Sequence, residues 1–221
     1  SGYILGFVSK VEGSVIPIVD IEVDHDNHRY YTNGISSHNT GVGKSIFMCH
    51  MAAAALSNCK NVLYITLEMA EEKIAERIDA NLLNVDINDI DKLSKDVYTN
   101  KIVALQKKTA GKLIIKEYAP GTAHAGHFKH LLNELKLKRK FVPDIVFVDY
   151  INICASQKYK SNNGVGSYQY LKAVSEELRG IGVEFDLPVV SATQTNREGY
   201  DSSDLGMTDV SESFGMSHTA D

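Results

Sequence analysis

Ile35-Ser36-Ser37-His38-Asn39-Thr40-Gly41-Val42-Gly43-Lys44-Ser45 is the stretch on which the reading of this chain turns. Its last three residues end the phosphate-binding pattern G-x-x-x-x-G-K-[ST]. In that pattern glycines let backbone N–H groups close around phosphates, the Lys reaches the β- and γ-phosphates, and the hydroxyl ligates Mg2+. Counting back from Gly43, the first glycine of the pattern falls on His38. The loop is interrupted, and the interruption ends in His-Asn-Thr. Two units therefore meet here, residues 1–39 and residues 40–221, and the first is expected to leave.

Upstream of the junction the chain reads as β. Residues 15–23 are rich in Val and Ile, and Arg29-Tyr30-Tyr31-Thr32 continues in the same manner. Asn33-Gly34 is a strong hairpin signal, because a type I′ turn needs positive φ at both central positions. With a two-residue turn Thr32 faces Ile35, Arg29 faces His38 and His28 faces Asn39. That arrangement suits peptide-bond cleavage without water. The Asn39 side-chain amide can attack its own carbonyl carbon, close a succinimide and release Thr40. Cyclisation needs a proton for the leaving amine and a partner for the developing oxyanion, which His38 and His28 can supply. Thr40 Oγ is a suitable acyl acceptor once a base activates it.

Downstream the rhythm changes to apolar strands separated by helices, which predicts a parallel sheet covered on both faces. Helices are expected over residues 44–56, 70–83, 97–109, 124–138 and 168–185, and strands over 61–66, 113–116, 144–148 and 188–192. In open sheets of this kind ligands sit at the carboxyl ends of the strands. Three candidates fall there. Asp149 follows Ile145-Val146-Phe147-Val148 and can support Mg2+; Glu68, just after the 61–66 strand, can position the attacking water; Gln194, just after 188–192, can sense the terminal phosphate. Gly41 and Gly43 serve the loop backbone, Lys44 the phosphates, and Ser45 the metal.

These residues carry two resemblances. Val19-Asp20-Ile21-Glu22-Val23 and Asp26-Asn27-His28-Arg29-Tyr30-Tyr31-Thr32-Asn33-Gly34-Ile35-Ser36-Ser37-His38-Asn39, followed by Thr40, resemble the C-terminal splicing blocks of an intein. The resemblance implies that Asn39 cyclises, His38 is its penultimate helper, and Thr40 is the first host residue; either His28 or Asp26 serves the upstream block. The amino-terminal nucleophile and early block of an intein are not in the sequence. Residues 1–39 are thus most like the C-terminal half of a split intein, which implies a separate N-terminal half as partner.

Thr66-Leu67-Glu68-Met69 with Arg77, Val148-Asp149-Tyr150, Gln194-Thr195-Asn196-Arg197 and Met207-Thr208-Asp209-Val210-Ser211-Glu212-Ser213 resemble the hexameric DnaB-like replicative helicases. Arg77-Ile78-Asp79-Ala80-Asn81 and Leu131-Leu132-Asn133-Glu134-Leu135-Lys136 extend the similarity, and the T-even-like phage members are nearest. The resemblance implies a RecA-like ATPase core that uses ATP and Mg2+, forms a homo-hexamer around single-stranded DNA, and works with a primase in the cytoplasm of a bacterial host. It also implies that the arginine finger and a second DNA loop lie beyond residue 221, and that an amino-terminal domain lies upstream. Inteins favour phosphate loops as insertion sites, so the two resemblances support each other. The expected fold class is α/β, a RecA-like P-loop core with a mostly parallel sheet, preceded by a small β-rich fragment of the HINT type. A recombinase-type ATPase of the same fold, or a splicing module with an inert passenger, are the competing readings.

Bulk composition agrees with one core domain plus a small module. The chain has 221 residues, 43% hydrophobic and 23% charged, with a net charge of −5. No global basic field attracts nucleic acid, so DNA contact must be local. Residues 155–166, polar and without an apolar period, read as a mobile loop. Lys158 and Lys160 on it are candidate DNA contacts or simply solvated. Three widely spaced cysteines fit a reducing intracellular compartment, and no run approaches the roughly 18 apolar residues of a membrane span. Starting without Met and ending at Ala220-Asp221, the sequence reads as a fragment. His124, His127 and His130 read as solvated helix residues rather than a metal site, since no Cys or carboxylate joins them at useful spacing. Glu71-Glu72 and Glu176-Glu177 read as exposed helix faces.

Overall fold

The computed structural model describes residues 29–32, 35–38, 43–90, 92–159 and 166–193. The expected strand at 15–23, the Asn33-Gly34 turn and the motif at 207–213 lie outside them. Strands β1 (Arg29–Thr32) and β2 (Ile35–His38) pair antiparallel. Their register sets Arg29 against His38 and Thr32 against Ile35, as a two-residue connection requires.

The second part alternates helices and strands. It runs α1 (Lys44–Ser57), β3 (Val62–Thr66), α2 (Glu71–Leu83), α3 (Ile87–Ile90), α4 (Lys95–Lys108), β4 (Leu113–Glu117), α5 (Ala125–Arg139), β5 (Ile145–Asp149), a 3-10 turn at Ile151–Ile153, α6 (Ser167–Phe185) and β6 (Val189–Ser191). The four strands are parallel, in the order β4-β3-β5-β6. From β3 the chain steps out to β4, then returns past β3 to β5 and on to β6.

All five residues of β3 are buried, which is why this strand reads as a continuous apolar run and not as an alternation. The period of two survives in what each residue meets. Leu63 and Ile65 join Phe128, Leu131, Leu132 and Leu135 of α5 and Val174, Leu178 and Ile181 of α6 in one cluster. Val62 and Tyr64 join Met48, Cys49 and Ala52 of α1 and Ile74 and Ile78 of α2 in another. Helices thus cover both faces of the sheet. Burial of each large side chain contributes roughly 1.5–3 kcal/mol, so the two clusters together fix the carboxyl ends of β3 and β5 side by side.

Two surface expectations change in the folded chain. Glu177 is half-buried and not part of a free helix face. Its carboxylate accepts the Ser156 hydroxyl at 2.7 Å and the backbone N–H groups of Gln157 at 3.0 Å and Lys158 at 3.2 Å. Tyr170 Oη accepts the Ser156 N–H at 3.0 Å. The start of the 155–166 segment is therefore anchored to α6. Glu71 is also half-buried, and it accepts the Glu117 N–H at 2.9 Å, tying α2 to the end of β4.

His124 caps α5. Its Nδ1 accepts the Gly126 N–H at 3.0 Å, while its own N–H donates to His127 Nδ1 at 3.2 Å. Burial, with His127 adding to it and Glu177 opposing it, lowers the His124 pKa, which keeps that acceptor unprotonated. No group of three or more metal-ligating side chains occurs among the described residues.

Candidate nucleotide-binding site

Helix α1 starts at Lys44 from a left-handed residue, Gly43, at φ 72° and ψ 12°. Glycine adopts that conformation without a Cβ penalty, and the Gly43 carbonyl accepts the Phe47 N–H at 2.7 Å to open the helix. The first turn has no acidic side chain and no side-chain cap. Its N–H groups and the positive end of the helix dipole are left for another anion. Lys44 and Ser45, both half-buried, stand in this turn.

The strand ends supply the opposing groups. Thr66 on β3 is in register with Asp149 on β5. Beyond it the chain turns sharply: Thr66 Oγ1 donates to the Met69 carbonyl at 2.8 Å and accepts the Met69 N–H at 3.1 Å. Leu67 donates its N–H to the Asp149 carbonyl at 2.9 Å and is buried. This fixes Leu67 inward and leaves Glu68 exposed at the carboxyl edge of the sheet. Lys44 Nζ lies 5.3 Å from the centroid of the Tyr150 ring, within the range of a cation–π contact. The Tyr150 phenol pKa is raised, first by burial and then by the negative charges of Glu68 and Asp149. The Lys44 ammonium and the charges of Glu68 and Asp149 thus all bear on Tyr150, at the edge where β3 and β5 end.

Asp149 is fully buried. Tyr64 donates its O–H to Asp149 Oδ2 at 2.9 Å, and Oδ1 has no hydrogen-bond partner. It is the single buried side-chain oxygen or nitrogen among the described residues left in that state. An unsatisfied buried neutral acceptor already costs about 1–3 kcal/mol, and a charged one more. A hydrated divalent cation would satisfy it, so the donor set fits Mg2+.

Strand β6 runs beside β5, with Ser191 opposite Val148. Ala192 accepts the Ile151 N–H at 3.1 Å, and Thr193 Oγ1 donates to Asn152 Oδ1 at 3.1 Å. These bonds lead the chain along the β5 end towards Gln194, which is outside the described residues. Also outside them are His28, Asn39, Thr40, Gly41 and Lys160. His38 closes β2, opposite Arg29. Lys158 is exposed, with Nζ 5.4 Å from the Tyr159 ring centroid, away from the cluster around Tyr150 in the contacts it makes.

Sequence reasoning gave no role to Tyr64, quoted Tyr150 only as part of the Val148-Asp149-Tyr150 motif, and read Glu177 as exposed. A signal for Tyr64 was available: a buried Tyr must find a partner for its hydroxyl. The parallel register places Tyr64 opposite Phe147, and Asp149 lies two residues further on the same face.

The chain belongs to the family described as DnaB-like helicase C terminal domain, which matches residues 35–221. It is 47% identical over 185 residues to a DnaB-like replicative helicase of Enterobacteria phage T4, covering 81% of this chain and 38% of that protein. The chain thus spans less than half the length of this curated relative. Among solved structures it resembles a DnaB-like replicative helicase described with its interactions with primase, at a TM-score of 0.62 and 20% identity, covering 81% of this chain and 44% of that one. A second solved structure, described as an ATPase domain, matches at the same TM-score and identity, with 63% of that chain covered. At this identity the two structures establish the α/β fold with its parallel sheet. No helix among the described residues is long and apolar enough to cross a membrane. Family membership replaces the recombinase alternative.

Proposed function

We propose that residues 40–221 are the ATPase core of a replicative DNA helicase and that residues 1–39 are the C-terminal half of a split intein interrupting its phosphate loop. Convergence of Lys44, Glu68 and Asp149 at one sheet edge, with Asp149 Oδ1 unsatisfied, carries the first part. The hairpin register, which brings His38 opposite Arg29 immediately before Asn39, supports the second.

Splicing proceeds in three exchanges at the junction. Thr40 Oγ attacks the ester or thioester carbonyl that joins the upstream host segment to the first side chain of the N-terminal half; that bond breaks, the side chain leaves with the Thr40 proton, and the acyl group is held on Thr40 as an ester. The Asn39 amide nitrogen then attacks the Asn39 carbonyl carbon, the bond to the Thr40 nitrogen breaks, and His38 delivers the proton to that amine, with His28 or Asp26 assisting. The ester shifts to the freed amine, leaving an ordinary peptide bond. The upstream partner's residues then precede Thr40-Gly41-Val42-Gly43-Lys44-Ser45 and restore the first glycine.

In the ligated protein the backbone at Gly41 and Gly43 and the Lys44 ammonium hold the ATP phosphates. Ser45 and Asp149 would hold Mg2+, which supplies charge neutralisation at the β- and γ-oxygens. Glu68 orients a water toward the γ-phosphorus and takes its proton as the bond to the ADP oxygen breaks, and Gln194 reports the γ-phosphate. Lys158 and Lys160 contact single-stranded DNA in the channel of a homo-hexamer that cooperates with a primase in the host cytoplasm. In the ligated protein Glu68→Ala is expected to lower DNA-stimulated ATP hydrolysis about 10²–10⁴-fold, the range for losing a positioned base. A parental rate in the variant removes Glu68 from this role. A ligated parent that binds no ATP makes residues 40–221 an inert passenger.

A further inference from the structure

We infer that Tyr64 is a positioning residue for the metal-supporting carboxylate: its phenol O–H pins one oxygen of Asp149 and presents the other to a hydrated divalent cation. This rests on the nucleotide-site reading of Asp149 above. Three elements meet at this point. The Cys49 thiol of α1 donates to Tyr64 Oη of β3 at 3.8 Å, and Tyr64 donates to Asp149 Oδ2 of β5 at 2.9 Å. The phenol has one hydrogen, and an ionised carboxylate can only accept, so that hydrogen goes to Asp149 with or without the thiol.

The ring is held as firmly as its hydroxyl. Tyr64 is fully buried and stacks on Phe147, with centroids 5.7 Å apart and planes at 17°. Rotation of the Asp149 carboxylate would break its one hydrogen bond with nothing in the core to replace it. One oxygen is thereby committed to the protein while Oδ1 remains without a partner. Outer-shell groups that orient a ligating carboxylate in this way govern metal affinity. A ring that merely fills the core would govern melting and leave metal affinity alone.

The test uses the ligated protein with Tyr64→Phe, which removes one oxygen and keeps the stack, beside Cys49→Ala, which leaves the Tyr64–Asp149 bond in place. The dissociation constant of Mn2+ from the protein–ATP complex is read from the paramagnetic resonance of free Mn2+, and melting is recorded in parallel. Tyr64→Phe is expected to weaken Mn2+ about 10–100-fold, with hydrolysis recovering as Mg2+ is raised, and Cys49→Ala to match the parent. Unchanged Mn2+ affinity in Tyr64→Phe, whatever its melting temperature, overturns the assignment. So does an equal weakening in both variants, which would signal a loosened core. A parent that binds no Mn2+–ATP overturns the reading of the site itself, and the Tyr64 assignment with it.

Discussion

Asn39→Ala is expected to yield no ligated product when the chain is combined with its matching N-terminal half. In the proposed splicing reaction the side-chain amide of Asn39 is the nucleophile that severs the bond to Thr40, and alanine has nothing to put in its place. The earlier acyl transfer to Thr40 does not need that amide, so branched ester should accumulate together with uncleaved chain. Intramolecular attack by a well-oriented group draws on effective molarities of about 10⁵–10⁸ M. No water molecule at the same junction competes with that, which is why the loss should be complete on the timescale of splicing. His38→Ala removes only proton delivery and should slow cleavage by the smaller factor of general acid–base catalysis, about 10²–10⁴. Electrophoresis before and after mild base treatment, which hydrolyses the ester, distinguishes branched from linear material. Ligated product from Asn39→Ala at the parental rate would remove the intein from this reading.

Lys44→Ala in the ligated protein is expected to reduce ATP hydrolysis about 10²–10³-fold, the loss found for a preorganised group aimed at developing charge. Lys44 stands in the first turn of α1, and its ammonium lies 5.3 Å from the Tyr150 ring centroid, at the edge where β3 and β5 end. The side chain is half-buried and belongs to neither core cluster, so the variant should melt close to the parent. Steady-state hydrolysis with saturating single-stranded DNA measures the effect. A rate within a few-fold of the parent would mean that the phosphates bind elsewhere.

Much of the fold was legible because its strands are buried on both faces. Val62–Thr66 and Ile145–Asp149 read as apolar runs of strand length, and their carboxyl ends fell where expected, within a residue. The hairpin register followed from turn length alone. Helix α3 (Ile87–Ile90) was missed because four residues are too few to display a helical period. Helix α4 begins at Lys95, not at residue 97, because Ser94 caps it, with Oγ accepting the Val97 N–H at 3.4 Å; its polar first turn hides the start from an apolar pattern.

The site was legible in part for a related reason. Lys44, Glu68 and Asp149 follow motifs that are local in sequence. Tyr64 acts across two strands, Tyr150 meets Lys44 of α1, and Glu177 reaches a segment about twenty residues away. Helix-face reasoning sees only neighbours along the helix, so it left Glu177 in solvent when its carboxylate in fact gathers the Ser156 hydroxyl and the backbone N–H groups of residues 157 and 158. The cap that His124 and His127 form required the position of the helix start, which the spacing of the histidines does not give.

The most direct measurement is ATP affinity by calorimetry in the presence of Mg2+, on the chain carrying residues 1–39 and on the ligated protein that has lost them. In the proposed reading His38 stands where the first glycine of the loop belongs, so part of the N–H cradle would not close around the phosphates. Two lost charge-assisted hydrogen bonds, at about 1.5–3 kcal/mol each, predict binding weaker by roughly two to four orders of magnitude before ligation. Tight binding that appears only after residues 1–39 are gone is the expected result. Equal, micromolar affinity in both forms would show that the loop needs no restoration, and would contradict the reading of residues 1–39 as an interruption of this site.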